Sequence, residues 1–253
     1  MHTLTVVIPT YDEAENIAVL LPLVADAASR NPDVAFTALV VDDSSPDGTA
    51  DVARRMSQEL AGRGLRVHVM TRTDKSGLGA AYIAAFLTLL ADDARPDLVL
   101  QMDADLSHDP AYIDAFLVEA RAGADLVVGS RYLPGGATPD WSFRRRLLSS
   151  GGNLYTRMLL GSRITDYTGG FNLYRSDLLA RLDVPTVTTT GYGFQILLKH
   201  RALRTAERVR QVPIVFLDRT RGVSKLPSDT LVKHLWLVLR LRLGRDERGR
   251  GAS

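Results

Sequence analysis

Short apolar runs alternate with polar breaks through the first half of the chain. Residues 4–9 (LTVVIP), 37–41, 66–70, 98–102 and 125–128 are compact and rich in Val, Leu and Ile. Each has the length of a strand buried on both faces. Between them lie helical patterns. Residues 12–29 place Ile17, Leu20, Leu21 and Val24 on one face and acidic residues in the first turn. Further helices are predicted after the loop 44–49 as far as about residue 60, over 79–90 and over 110–120. This strand–helix alternation predicts an α/β fold: a mostly parallel, Rossmann-like sheet with helices on both faces. Ligands in such sheets bind outside the carboxyl ends of the strands. Four of the five predicted strands end in polar or acidic residues: Thr10 to Glu13, Asp42 and Asp43, Asp103 and Asp105, and Ser130 with Arg131. Those ends share one rim, which is therefore the expected site.

The second half is less regular. Residues 133–141 read as a Pro/Gly loop, 169–174 as a short strand or turn, 191–201 as a helix and 209–216 as a strand. Residues 219–226 form a basic loop, and 245–253 an Arg/Gly-rich tail expected to be disordered. Two segments, 142–160 and 229–243, mix Arg or Lys with Leu, Met and Trp at helical spacing. That composition suits helices lying in an anionic membrane interface, though apolar faces of this kind also pack on sheets. The expected organisation is a catalytic domain over 1–226, a C-terminal amphipathic helix over 227–244 and the tail.

Composition narrows the class. With 253 residues, 45% of them apolar and 24% charged, the chain is an ordinary globular protein of one large or two small domains. It has no cysteine, which excludes disulfides, Cys-based zinc sites and a thiol nucleophile. No signal peptide or spanning segment is apparent, so a cytoplasmic protein, soluble or peripheral to a membrane, is expected. The net charge of +2 conceals a split. Residues 1–120 carry 8 Lys+Arg against 19 Asp+Glu, a net of −11, and the remainder a net of +13. Carboxylates hold metals and basic groups hold phosphates, so the split suits a task that needs both.

Asp103, Ala104 and Asp105 are the sharpest feature. Two carboxylates at i and i+2, just where a buried strand stops, can converge on one hard divalent cation such as Mg²⁺ or Mn²⁺. Asp42 and Asp43 close another strand before a Ser-Ser-Pro-Asp-Gly-Thr turn. Asp47 or Thr49 suits helix capping there, and Asp43 the binding of a ribose or base. His108 reads as a residue that sets the turn after the acidic pair. A dinucleotide-binding dehydrogenase is disfavoured, because no G-x-G-x-x-G follows the first strand.

The chain resembles the inverting family 2 glycosyltransferases of GT-A fold, and more closely the dolichol- or polyprenol-phosphate mannose synthases. The matching segments are 7–16 (VIPTYDEAEN), 41–49 (VDDSSPDGT), 102–108 (MDADLSH), 129–132 (GSRY), 168–171 (TGGF), 191–195 (GYGFQ) and 212–226, in family order over nearly the whole chain. The resemblance implies that Pro9, Tyr11, Glu13, Val41 and Asp43 hold the nucleoside of GDP-mannose. It implies that Asp103, Ala104 and Asp105 bind the sugar phosphate and the metal, and that Arg131, Arg219 and Lys225 handle phosphate charge. Ser107 stands where some members carry a Gln metal ligand. Gln195 stands near the usual place of a general base. A polyprenyl monophosphate is already an oxyanion and needs no base, so an amide there fits a phosphate acceptor better than a sugar hydroxyl. The expected partners are GDP-mannose, a polyprenyl monophosphate, the membrane surface and a separate membrane-anchoring subunit. UDP-glucose is the alternative donor. A phosphate- or nucleic-acid-binding module is the reading from another class, and it leaves the acidic rim without a use.

Overall fold

The computed structural model describes residues 2–73, 77–187, 189, 192–218 and 230–244. Its elements are β1 (His2–Thr10), α1 (Ala14–Arg30), β2 (Val34–Asp42), α2 (Thr49–Leu60), β3 (Leu65–Thr71), α3 (Leu78–Ala91) and β4 (Leu98–Gln101). They continue with α4 (Ile113–Arg121), β5 (Leu126–Ser130), α5 (Phe143–Leu160), β6 (Asn172–Arg175), α6 (Ser176–Ala180), α7 (Tyr192–Thr205), β7 (Val209–Pro213) and α8 (Thr230–Arg242). One seven-stranded sheet runs in the order β3-β2-β1-β4-β6-β5-β7. Its pairings are parallel except those of β6, which is antiparallel to β4 and β5.

The apolar runs form strands because both faces of the sheet are covered. Leu4, Val6 and Ile8 of β1 pack into a core with α1, α2 and α4. Val7, with Leu39, Val41, Val99 and Val128, faces α3, α6, α7 and α8. The expected short strand at 169–174 is β6, shifted to 172–175 and reversed in direction. Alternation of elements does not reveal this, because the β5–β6 connection carries a helix as a parallel crossover does. Of that helix, Tyr155, Leu159 and Leu160 are packed, partly buried, against the core. The fully buried positions of α5 are the polar Asn153 and Thr156, and it packs along α8.

α5 is therefore inverted relative to an ordinary surface helix. Phe143 is 79% exposed and Met158 69%, and Leu147, Leu148 and Leu154 are more than half exposed. Trp236, Leu235 and Leu243 add to this surface at α8, whose Leu237, Val238 and Leu241 are buried. Among the described residues no helix is long and apolar enough to cross a membrane.

Candidate active site

The rim predicted from strand ends is the place where the sheet delivers its polar residues. Pro9 pairs in register with Val41 and Thr10 with Asp42, so the ends of β1 and β2 are level. The Asp43 amide donates to Thr10 O at 3.1 Å, and the Met102 amide to Val7 O at 3.1 Å. Three strands adjacent in the sheet thus bring Pro9, Tyr11, Glu13, Val41, Asp43 and the 103–105 segment to one edge. Asp12, Ser44 and Leu106, each just beyond one of these strands, have φ of 59°, 53° and 63°. Non-glycine residues in the left-handed region store strain, and strain of this kind collects at functional sites.

The turns on this rim are held by carboxylates. Asp42 is buried and accepts from the Ser45 amide and hydroxyl and from the Thr10 hydroxyl. Asp47 accepts from the Ala14 and Thr49 amides and the Thr49 hydroxyl, which braces the starts of α1 and α2 together. Thr49 Oγ1 in turn accepts from the Glu13 amide; the N-cap position of α2 itself is Gly48, and Asp47 and Thr49 tie the two helix starts together from either side of it. Asp43 is buried and salt-bridged to Arg72 at 2.7 Å.

The 103–108 segment is fixed on three sides. The Asp103 amide donates to His108 Nδ1 at 3.0 Å. His108 is buried and stacked on Phe171 at 4.9 Å, and burial lowers its pKa, so it stays neutral with Nδ1 as an acceptor. That use of Nδ1 accords with its reading as a turn residue. Asp105 Oδ1 accepts from the Ser107 amide at 3.1 Å and the Ser107 hydroxyl at 2.5 Å. Tyr82 of α3 donates its hydroxyl to Asp103 Oδ1 at 3.3 Å. Burial raises its pKa well above the usual tyrosine value, and the Asp103 charge adds to this, so it remains a donor. Ala104 is buried beneath the pair, whereas the Asp103 side chain is 22% exposed.

Gly170 closes the site on the side of β6. A Cβ placed there would lie 3.6 Å from Asp103 Oδ1 and 3.5 Å from Gln195 Nε2, and would fill space beside the carboxylate. Gln195 is buried at the start of α7, and Asn172 Nδ2 donates to its Oε1 at 3.3 Å. Gln195 Nε2, Gln101 Nε2 and Asn172 Oδ1 are buried without a hydrogen-bond partner. Orphans of this kind are rare and mark the layer under Gly170 as unusual.

This donor set fits a hard divalent cation. It offers oxygen atoms from two carboxylates held two residues apart, with Asp103 partly exposed and no side chain at Gly170 to cover it. Among the described residues no group of three or more His, Asp or Glu is arranged for a metal. The remaining positions would fall to phosphate oxygens and water, as Mg²⁺ prefers. The Ser107 hydroxyl is engaged as a donor to Asp105, so its part would be to orient that carboxylate.

Arg131 lies deeper than expected. It is buried, forms a bidentate pair with Asp166 at 2.7 and 2.9 Å, and donates to Thr168 Oγ1 at 2.7 Å. The rings of Tyr132, Trp141 and Phe216 stand 5.3–5.5 Å from its guanidinium carbon. Burial disfavours the Asp166 carboxylate, but Arg131, Lys199 and the Gly169 amide reverse this and hold its pKa below the ordinary range. Arg219 and Lys225 lie outside the described residues, as does the tail. Sequence reasoning missed Tyr82, Arg72, Asp166 and Lys199. The one available signal was a lysine closing the apolar run Ile196, Leu197, Leu198.

The chain belongs to glycosyl transferase family 2, whose family model matches residues 5–183. It is 43% identical over 247 residues to the polyprenol monophosphomannose synthase of Mycolicibacterium smegmatis, covering 97% of this chain and 89% of that one. It is 40% identical over 255 residues to the undecaprenyl-phosphate mannosyltransferase of Micrococcus luteus, covering 96% and 100%. Among solved structures it is similar to mannosyl-3-phosphoglycerate synthase from Rubrobacter xylanophilus. The TM-score there is 0.59 at 22% identity, over 100% of this chain and 77% of that one. It is similar also to a mannosyltransferase from Pyrobaculum calidifontis in complex with GDP-Man and Mn²⁺. Here the TM-score is 0.56 at 18% identity, over 99% and 76%. At such identities these structures speak for the fold.

Proposed function

We propose that this protein is a polyprenyl-phosphate mannosyltransferase that moves mannose from GDP-mannose to a polyprenyl monophosphate with inversion at C1. The observation that carries the reading is the likeness, across 97% and 96% of the chain, to two transferases named for that acceptor class. The rim supports it. Pro9, Tyr11, Glu13, Val41 and Asp43 would hold the nucleoside, and Asp103 and Asp105 a Mg²⁺ or Mn²⁺ ion with the sugar phosphate. That cation would supply charge stabilisation to the departing diphosphate. The lipid phosphate oxygen attacks C1, the C1–O bond to GDP breaks, and GDP carries away the electron pair. A phosphate monoester is already anionic, so no proton need be removed. Gln195, an amide, suits that chemistry. Arg219 and Lys225 would add positive charge to the phosphates.

The test is a donor screen with purified protein, Mn²⁺ or Mg²⁺ and a polyprenyl phosphate. GDP-mannose is expected to give β-mannosyl phosphoprenol. Lipid product from UDP-glucose alone would overturn the donor assignment, and a glycan product with none on the lipid would overturn the acceptor.

The catalytic domain is assigned to 1–226, with α8 beyond it lying at the membrane surface together with α5. Eight of the fourteen exposed large apolar side chains among the described residues lie on α5 or in and just after α8. Exposed Arg144, Arg146, Lys233 and Arg240 accompany them. Apolar side chains among cations match the anionic cytoplasmic leaflet. The double substitution Phe143→Glu/Met158→Glu removes two side chains worth about 1.5–3 kcal/mol each on burial. It is expected to lower partition into anionic vesicles at least about tenfold, read by sedimentation, without lowering Tm. Wild-type protein that ignores vesicles would instead point to a separate membrane-anchoring subunit.

A further inference from the structure

Lys199 is fully buried on α7, and its ammonium donates to Asp166 O at 2.9 Å and Gly169 O at 2.7 Å. Those carbonyls belong to the loop 166–170. The same loop carries the Asp166 carboxylate that grips Arg131, and it ends on Gly170 beside Asp103. The buried set holds two cations, Lys199 and Arg131, and one carboxylate, Asp166. Asp166 faces both cations, in bidentate geometry with Arg131, so this set among the described residues carries one net positive charge. Burying such a charge opposes folding. Burial lowers the Lys199 pKa to about 7, although Asp166 acts to raise it. A glutamine in its place could keep a donor for the two carbonyls without that penalty, so hydrogen bonding alone does not require a lysine here.

We propose that Lys199 is a positioning residue and buried counter-charge of the reacting centre: it clamps the loop 166–170 behind Asp103 and lends that site one net positive charge toward bound phosphate. The inference rests on the function proposed above, because phosphate is the ligand it serves. Two phosphates are available there, the diphosphate of the donor and the monophosphate of the lipid. Asp166 and Arg131 act on Lys199, and Lys199 acts on His108, which also feels Asp103 and Asp105.

The test compares Lys199→Met and Lys199→Gln with wild type. Gln keeps a donor for the carbonyls and lacks the charge. Lys199→Gln, which keeps a donor, is expected to fold with a Tm at pH 6–7 equal to or above wild type, and Lys199→Met, which leaves the carbonyls without one, to fold with a lower Tm. Both are expected to lose at least tenfold in kcat/KM for transfer at pH 6.5. Wild-type kcat/KM is expected to fall as the pH rises through the Lys199 titration, and the variants to lack that fall. Ionisations of the substrate phosphates are common to all three proteins and cancel in the comparison, whereas the His108 pKa, which the Lys199 charge helps to lower, shifts in the same direction in both variants. Metal-dependent binding of GDP alone, beside KM for the polyprenyl phosphate, tells which phosphate feels the charge. A loss in either supports the proposal. Wild-type kinetics in Lys199→Gln across pH 6–9, or activity losses that only follow a fall in Tm, would overturn it. If wild type makes no lipid product but binds GDP with metal, the function assignment fails, and the GDP arm still decides the role of Lys199.

Discussion

Asp105→Asn is expected to reduce transfer to lipid phosphate by on the order of 10²–10³-fold while leaving the protein folded. The asparagine oxygen can still accept from the Ser107 amide and hydroxyl, so the turn at 105–107 keeps its hydrogen bonds. Only the negative charge is lost. The cation the pair would hold then binds more weakly, and the departing diphosphate loses its stabilisation. Transfer of labelled mannose from GDP-mannose at saturating Mn²⁺, with Tm measured alongside, separates the two effects. Full activity in Asp105→Asn would remove the metal role of this pair.

The second large effect concerns stability. Asp166→Asn is expected to destabilise the protein by about 3–5 kcal/mol, because it leaves Arg131 and Lys199 buried without a counter-charge. For a chain of this size that corresponds to a Tm lower by roughly 6–20 °C. The asparagine oxygen still accepts from the Thr168 and Gly169 amides, so the loop's local hydrogen bonds are not the cause. Adding Arg131→Met to Asp166→Asn is expected to recover part of the loss, since it deletes one unpaired cation. A single variant with wild-type Tm would refute the energetic role of the pair. The pH dependence has a definite sign. The Asp166 pKa is depressed in the folded state, so its contribution is fully present above the ordinary aspartate range. It is lost as the pH falls through the depressed folded value.

The acidic pair and the strand ends were legible because they are local. An apolar run followed by charged residues marks where a buried strand stops, and in a parallel sheet that end faces the ligand. The same reading placed Asp43, Asp103 and Asp105 on one edge, and β1, β2 and β4 bring them there. It placed Arg131 on the rim too, and the structure adds that its guanidinium pairs with Asp166. Residues 35 apart form that pair, and nothing in the spacing announces it.

Two further features were decided by packing across long sequence separations. Hydrophobic periodicity marked 142–160 as a helix with an apolar stripe, but not the direction that stripe faces. Only the placement of α5 against α8, with Tyr155, Leu159 and Leu160 toward the core, leaves Phe143, Leu147 and Met158 in the open. A lysine in an apolar helix likewise gives no hint of its environment until the loop 166–170 folds over it. The sequence alone determined the alternation of elements and the chemistry of the rim, because both follow from backbone periodicity and from side chains at strand ends. Tertiary structure alone decided the direction of β6, the outward face of α5 and the buried Lys199, Asp166 and Arg131 set. Each of these depends on which distant surfaces exclude water from one another.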